Sequence, residues 1–363
     1  MKFLHEYRDP EAVKQLLDKI RQTATRDWII MEVCGGQTHS LVRNGILNML
    51  PEQVQMVHGP GCPVCVTPTR LIDKAVHLAL HEGAILCSFG DMVRVPGRDK
   101  SLMQAKAAGA DVRILYSPLE AVKIAQQHPD RQVVFFAVGF ETTAPANALA
   151  VRHAARLGLD NFSLLASHVL VPPAMEAIMA DPHCNIDAFL GAGHVCTIMG
   201  LEEYQPLVDR YQTPVVVTGF EPVDLLEGIL MAVMQLESGR TALENQYTRY
   251  VRPEGNRAAQ EAIFEVFEVA DREWRGLQTI PNSGYAIKPA YAHYDADRKF
   301  RMVEEGPAPC NGCIAGDIMK GLKKPADCAH FGTDCTPAHP IGAPMVSSEG
   351  ACAAYYHYAG VEV

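Results

Sequence analysis

Nowhere does this chain sustain an apolar run close to the ~18 residues that a membrane helix needs. Its first residues, MKFLHEYRDPEAVKQLL, carry charge in every turn and no apolar core, which argues against a secretory signal. Basic runs and aromatic-interleaved Arg/Lys patches are missing as well, and the formal net charge is −10, so neither nucleic acid nor a membrane is an expected partner. There is no G-x-x-x-x-G-K phosphate loop and no G-x-G-x-x-G after a strand, which removes the two common nucleotide cradles. What the chain does have is cysteine, eleven in 363 residues. The expected compartment is the cytoplasm, where thiols stay reduced and clustered cysteines point to metal or redox chemistry rather than structural disulfides.

The body of the chain alternates. DWIIMEV, VQMVH, AILCSF, DVRILYS, QVVFFAVGF, FSLLASHVLV, DAFLGAG and TPVVVTGF read as buried strands, and most are separated by amphipathic helical stretches. Continuous apolar strands between helices predict an α/β fold with parallel sheets covered on both faces. The pattern suggests two units of about four strands each, one over 27–117 and one over 118–225. The helix after Asp9 and Pro10, a plausible N-cap and first helical residue, is grouped as 1–26 with a loop-rich region over 226–363. From Asn282 onward periodic apolar sequence is sparse and five of the eleven cysteines appear, so a metal or cluster is expected to hold this region together.

Three cysteine groups carry the chemistry. In MEVCGGQTHS, Cys34 ends a strand and the helix is expected to begin at Gln37 or Thr38. A thiol near a helix N-terminus has its thiolate favoured, so Cys34 reads as reactive, against the alternative of a buried small hydrophobe. His39 is a candidate base or donor beside it, or a group that satisfies local backbone. In GPGCPVC, prolines and glycines stiffen a loop holding Cys62 and Cys65, which should emerge at the same sheet edge as Cys34. A lone C-x-x-C suits zinc, a redox disulfide or a cluster, and no second pair at zinc-ribbon spacing lies nearby. Cys310, Cys313, Cys328, Cys335 and Cys352 supply five candidates for a four-thiolate site of zinc or iron–sulfur type. Cys87, Cys184 and Cys196 are isolated, and packing is their default. At other strand ends stand Glu141 in GFETTAP, a candidate acceptor for a ligand or partner, then His168 and His194; Thr142 or Thr143 would make an ordinary N-cap.

MEVCGGQTH, HGPGCPVCVTP, FGDMVRVPG, GADVRILYSP, GFETTAP, ENQYTRYV and MVSSEGACAAYY, in this order, resemble the HypD family of [NiFe]-hydrogenase maturation proteins. The resemblance implies a scaffold and electron-transfer role in assembling iron that carries two cyanides and one carbon monoxide. Cys34 would bind that transient Fe(CN)2CO iron together with a cysteine of a small HypC-type partner, and cyanide would come from a HypE-type donor working with HypF. Cys62 and Cys65 would be the redox-active or iron-proximal pair. Cys313, Cys328, Cys335 and Cys352 would hold a [4Fe–4S] cluster, with Cys310 lacking a counterpart. Gln37 stands where the family commonly has histidine. Two other readings stand beside this one: an iron–sulfur thiol–disulfide oxidoreductase acting through Cys62/Cys65, and a zinc-stapled binding protein.

Overall fold

The computed structural model describes residues 6–300 and 312–359; Cys310 lies outside them. All eight apolar runs form strands: β1 (Trp28–Glu32), β2 (Val54–His58), β3 (Ile85–Ser88), β4 (Val112–Ile114), β5 (Val133–Gly139), β6 (Phe162–His168), β7 (Ala188–Ala192) and β8 (Val215–Thr218). With β9 (Leu243–Asn245) they build two parallel sheets, ordered β2-β1-β7-β8-β9 and β4-β3-β5-β6. β5 and β6 are buried along all seven of their residues, as strands covered on both faces must be.

Sheet membership does not follow the expected segments 27–117 and 118–225. β3 and β4 pair with β5 and β6, whereas β1 and β2 share a sheet with β7 to β9. The chain leaves the five-stranded sheet after β2, builds the four-stranded one, and returns. Apolar runs specify strands but not their neighbours, so a boundary placed near Pro118 has no structural counterpart. The N-terminal helix Pro10–Thr23 has Asp9 accepting from the Glu11 N–H at 2.9 Å and Pro10 in its first turn, as its sequence predicts. Its placement differs from expectation: Leu16, Leu17 and Ile20 pack with Ile30, Met56 and Leu226 over the five-stranded sheet, not with the cysteine-rich region. An amphipathic helix goes where its stripe finds the largest apolar face.

A hairpin, β10 (Phe267–Trp274) and β11 (Gln278–Ile287), was not anticipated by the sequence reading. Its register shifts between Ala270 and Arg272, which breaks the period-2 pattern that would have announced it. The hairpin ties the two sheets together. Leu170 N–H, just after β6, donates to the Ser283 carbonyl at 2.9 Å, and Arg275 N–H donates to the Val66 carbonyl at 2.8 Å. Trp274, only 1% exposed, belongs to the core that includes Met31, Cys34, Phe140 and Phe189, and its indole N–H donates to Ser283 Oγ at 2.9 Å. Residues 312–359 are mostly turns, with short helices at Ala315–Met319 and Ala351–Tyr358. Among the described residues, no helix is long and apolar enough to cross a membrane.

A candidate thiol site at the end of the five-stranded sheet

β1 and β2 are parallel neighbours in register, Glu32 opposite His58, so the chain leaves both strands at the same sheet edge. The two turns that follow touch. Gly59 N–H donates to the Glu32 carbonyl at 2.8 Å, and Gly35 N–H donates to the Gly61 carbonyl at 2.8 Å. A Cβ on Gly61 would stand 2.3 Å from the Cys34 nitrogen, so only glycine allows this approach. The stiff loop thereby lays Cys62 against the turn that holds Cys34. Cys62 and Cys65 are joined by a disulfide, and Cys62 Sγ accepts from the Cys65 N–H at 3.2 Å.

The helix begins earlier than Gln37, at Gly35, and Cys34 is its N-cap; the Cys34 carbonyl accepts from the N–H groups of Gln37 at 2.9 Å and Thr38 at 3.0 Å. Gln37 is fully buried and donates to the Gly191 carbonyl at 3.0 Å and to Thr218 Oγ1 at 2.7 Å. It bolts the helix Gly35–Arg43 to β7 and β8. Cys34 Sγ lies 3.5 Å from Nδ1 of His194, in the first turn of the helix Gly193–Met199 that follows β7.

The electrostatics reverse one expectation. Burial, with the nearby Glu349 carboxyl second, pushes the Cys34 thiol well above its ordinary range; the N–H groups of Gln37 and Gly36 pull the other way and lose. The resting group is a thiol rather than the thiolate that a helix N-terminus alone would favour. Burial pushes His194 down to about 4, so its imidazole is neutral and has a nitrogen free to accept from that thiol.

Cys313, Cys328, Cys335 and Cys352 line one small cavity with Ile314, Ile318, Phe331 and Met345. Cys335 Sγ accepts from the Ile341 N–H at 3.3 Å, and Cys352 sits in the first turn of the helix Ala351–Tyr358. Burial raises Cys313 and Cys352, and the other thiols of the set add to the rise. Such crowding favours an occupant of positive charge. Among the described residues, no three His, Cys, Asp or Glu side chains are grouped to hold a single metal ion. The four thiols stand around a void instead. Soft donors on an apolar, shielded wall fit an iron–sulfur group.

Comparison with known proteins supplies the family. A family model, HypD, described as the hydrogenase formation hypA family, matches residues 11–359. The hydrogenase maturation factor HypD of Rhodobacter capsulatus is 48% identical, covering 99% of each chain. The HypD maturation factor of Escherichia coli K12 is 46% identical over 99% of this chain and 98% of its own. The chain belongs to the HypD family. Hydrogenase maturation is therefore the process it serves.

Other sites predicted for this HypD-family chain are placed elsewhere. His39 Nδ1–H donates to the Ser348 carbonyl at 3.0 Å, and its ring meets Tyr358 edge-on at 5.3 Å, so its contacts fasten a helix to the C-terminal segment. Glu141 is fully buried after β5, in the other sheet; Oε1 accepts from the Val171 N–H at 2.9 Å, and Oε2 has no hydrogen-bond partner among the described residues. Thr143 takes the N-cap position of the helix Ala144–Arg156, although its hydroxyl donates to the Phe140 carbonyl instead. Cys87 and Cys196 are buried in core clusters, in line with packing. Glu32 and its partner His58 were missed. Their signal was a lone carboxylate inside the apolar run WIIMEV, which a two-sided strand does not tolerate without partners.

His168, fully buried at the end of β6, bonds through Nε2 to Asn147 Nδ2 at 2.8 Å. Burial lowers it from 6.5 to about 3. A depressed folded value means that stability is present above pH ~6.5 and is lost as acid approaches the folded value. Between pH 6.5 and pH 5 the loss is about 2 kcal/mol. In denaturant melts at both pH values, His168→Gln should abolish that share of the slope; an unchanged slope would show that His168 is not neutral inside the fold.

Proposed function

We propose that the chain is the scaffold on which the Fe(CN)2CO moiety of [NiFe] hydrogenase is assembled, with the iron held as cargo by Cys34. The observation that carries this reading is the Gly35–Gly61 hydrogen bond at 2.8 Å, because it sets the Cys62–Cys65 disulfide beside the Cys34 turn. Iron with cyanide and carbon monoxide is low-spin and takes soft, electron-rich donors, which thiolates are. Cys34 must lose its proton to solvent to bind, and the neutral His194 nitrogen at 3.5 Å is placed to accept a hydrogen bond from the thiol. Reduction of the disulfide by two electrons and two protons would free two further thiols at the same edge. Cys313, Cys328, Cys335 and Cys352 would hold a [4Fe–4S] cluster, whose chemistry is one-electron supply. A small HypC-type partner would complete the iron's ligands, and a HypE-type protein with HypF would deliver cyanide.

Infrared spectroscopy of anaerobic protein copurified with its small partner is the test. Cyanide and carbonyl bands are expected with wild type and absent with Cys34→Ala, while the brown visible absorption of the cluster persists in both. Bands of full strength in Cys34→Ala would defeat the scaffold reading. The formed disulfide favours one second reading, a thiol–disulfide oxidoreductase. In that case Cys34→Ala keeps disulfide-reducing activity, and the bands never appear in wild type.

A further inference from the structure

The underside of the Cys34 turn is polar where a strand interior is ordinarily apolar. Glu32, the last residue of β1 and fully buried, accepts three hydrogen bonds: from the Cys34 N–H at 3.0 Å, from the Thr38 hydroxyl, and from His58 Nδ1–H at 2.7 Å. His58, 4% exposed at the end of β2, accepts through Nε2 from the Tyr355 hydroxyl at 3.0 Å, and the two rings meet edge-on at 5.3 Å. Tyr355 belongs to the helix Ala351–Tyr358, one turn beyond Cys352. A continuous hydrogen-bonded line therefore joins the backbone of Cys34 to the helix that supplies one thiol of the four-cysteine cavity.

Burying a carboxylate is costly unless every partner is in place, and apolar side chains of equal volume would fill such a space as well or better. A line of this kind adds geometric specification rather than bulk stability. A second contact runs beside it. The C-terminal segment presses on the start of the Cys34 helix so closely that a Cβ on Gly35 would lie 2.7 Å from the Glu349 carbonyl oxygen. The Ala351–Tyr358 helix cannot shift without disturbing the Cys34 turn.

We infer that Glu32, His58 and Tyr355 are positioning residues through which the occupancy of the four-cysteine cavity sets the reactivity of Cys34. The inference rests on reading that cavity as an iron–sulfur site. A group ligated by Cys352 fixes the first turn of its helix. Tyr355, three residues further and hence on the same helical face, carries that constraint to His58 by its hydroxyl, and Glu32 carries it to the Cys34 N–H. Emptying the cavity releases the first turn, and the Cys34 turn loosens with it. An iron-accepting thiol would then be set in place only once the cluster is present.

The test uses the full chain, reconstituted anaerobically with iron and sulfide or left empty, and reads iodoacetamide labelling of Cys34 by peptide mass spectrometry. Labelling of Cys184, half-buried and outside the line, is the internal control. Empty wild type is expected to label at Cys34 about fivefold or more faster than loaded wild type, the lower range of ordinary coupling between sites. Tyr355→Phe removes one hydroxyl from a partly exposed side chain and should load normally, yet its ratio should fall to about one. Tyr358→Phe, on the same helix and off the line, should keep the wild-type ratio. A Tyr355→Phe protein that loads and retains the full ratio overturns the inference alone, as does a wild type with no ratio. Failure of wild type to develop iron–sulfur absorption overturns the reading of the cavity and the inference together.

Discussion

Gly61→Ala should lose about 3 kcal/mol or more of stability, far more than an ordinary surface substitution. The new Cβ would sit 2.3 Å from the Cys34 nitrogen, 2.4 Å from its Cα and 2.5 Å from the Val33 carbonyl carbon. These are backbone atoms, and no side-chain rotation can move them aside. β1 is paired on both sides, with β2 and β7, so the turn that follows it has little room to retreat. The GPGCPVC loop has to give instead, breaking the Gly35–Gly61 hydrogen bond and lifting the disulfide away from Cys34. Gly90→Ala is the control: its φ of −56° suits any residue and the nearest atom to a new Cβ is 3.7 Å away. Urea unfolding should leave Gly90→Ala within about 0.5 kcal/mol of wild type. If Gly61→Ala melts with wild type as well, the two turns are not in contact, and the convergence of Cys34 with the Cys62–Cys65 pair fails.

Glu141→Gln should change how stability depends on pH. Burial raises the Glu141 carboxyl from its ordinary 4.5 to about 8, its own backbone N–H and that of Val171 pulling the other way. The folded protein therefore keeps a proton that the unfolded chain releases between those two values. With a raised folded value, stability is fully present below pH ~4.5 and declines as pH climbs to the folded value, by about 1.4 kcal/mol per unit. Glutamine retains a carbonyl for Val171 and does not titrate. Its advantage over wild type should grow by about 4 kcal/mol from pH 5 to pH 8. Parallel chemical unfolding curves at the two pH values measure it, and a constant difference would mean that Glu141 is ionised in the fold. The slope is opposite in sign to that of His168, so each variant isolates one limb of the stability profile.

The legible part of this protein was whatever depends on neighbours along the chain. Apolar runs such as QVVFFAVGF became wholly buried strands, and Asp9 and Pro10 opened a helix. The seven motifs likewise carried the family. Pairing was not legible. β1 lies between β2 and β7, which is about 160 residues away, and nothing in an apolar run names its partner. The hairpin escaped notice because a register shift spoils its alternation. The charge state of Cys34 was decided the same way. A glycine turn into a helix argues for a thiolate, but this sulfur is buried, with His194 from a distant helix beside it and Glu349 of the C-terminal segment acting on it, and desolvation outweighs the helix N–H groups. Local pattern reports conformational preference; partner choice and solvent exclusion are sums over distant residues, and only the folded chain performs that sum.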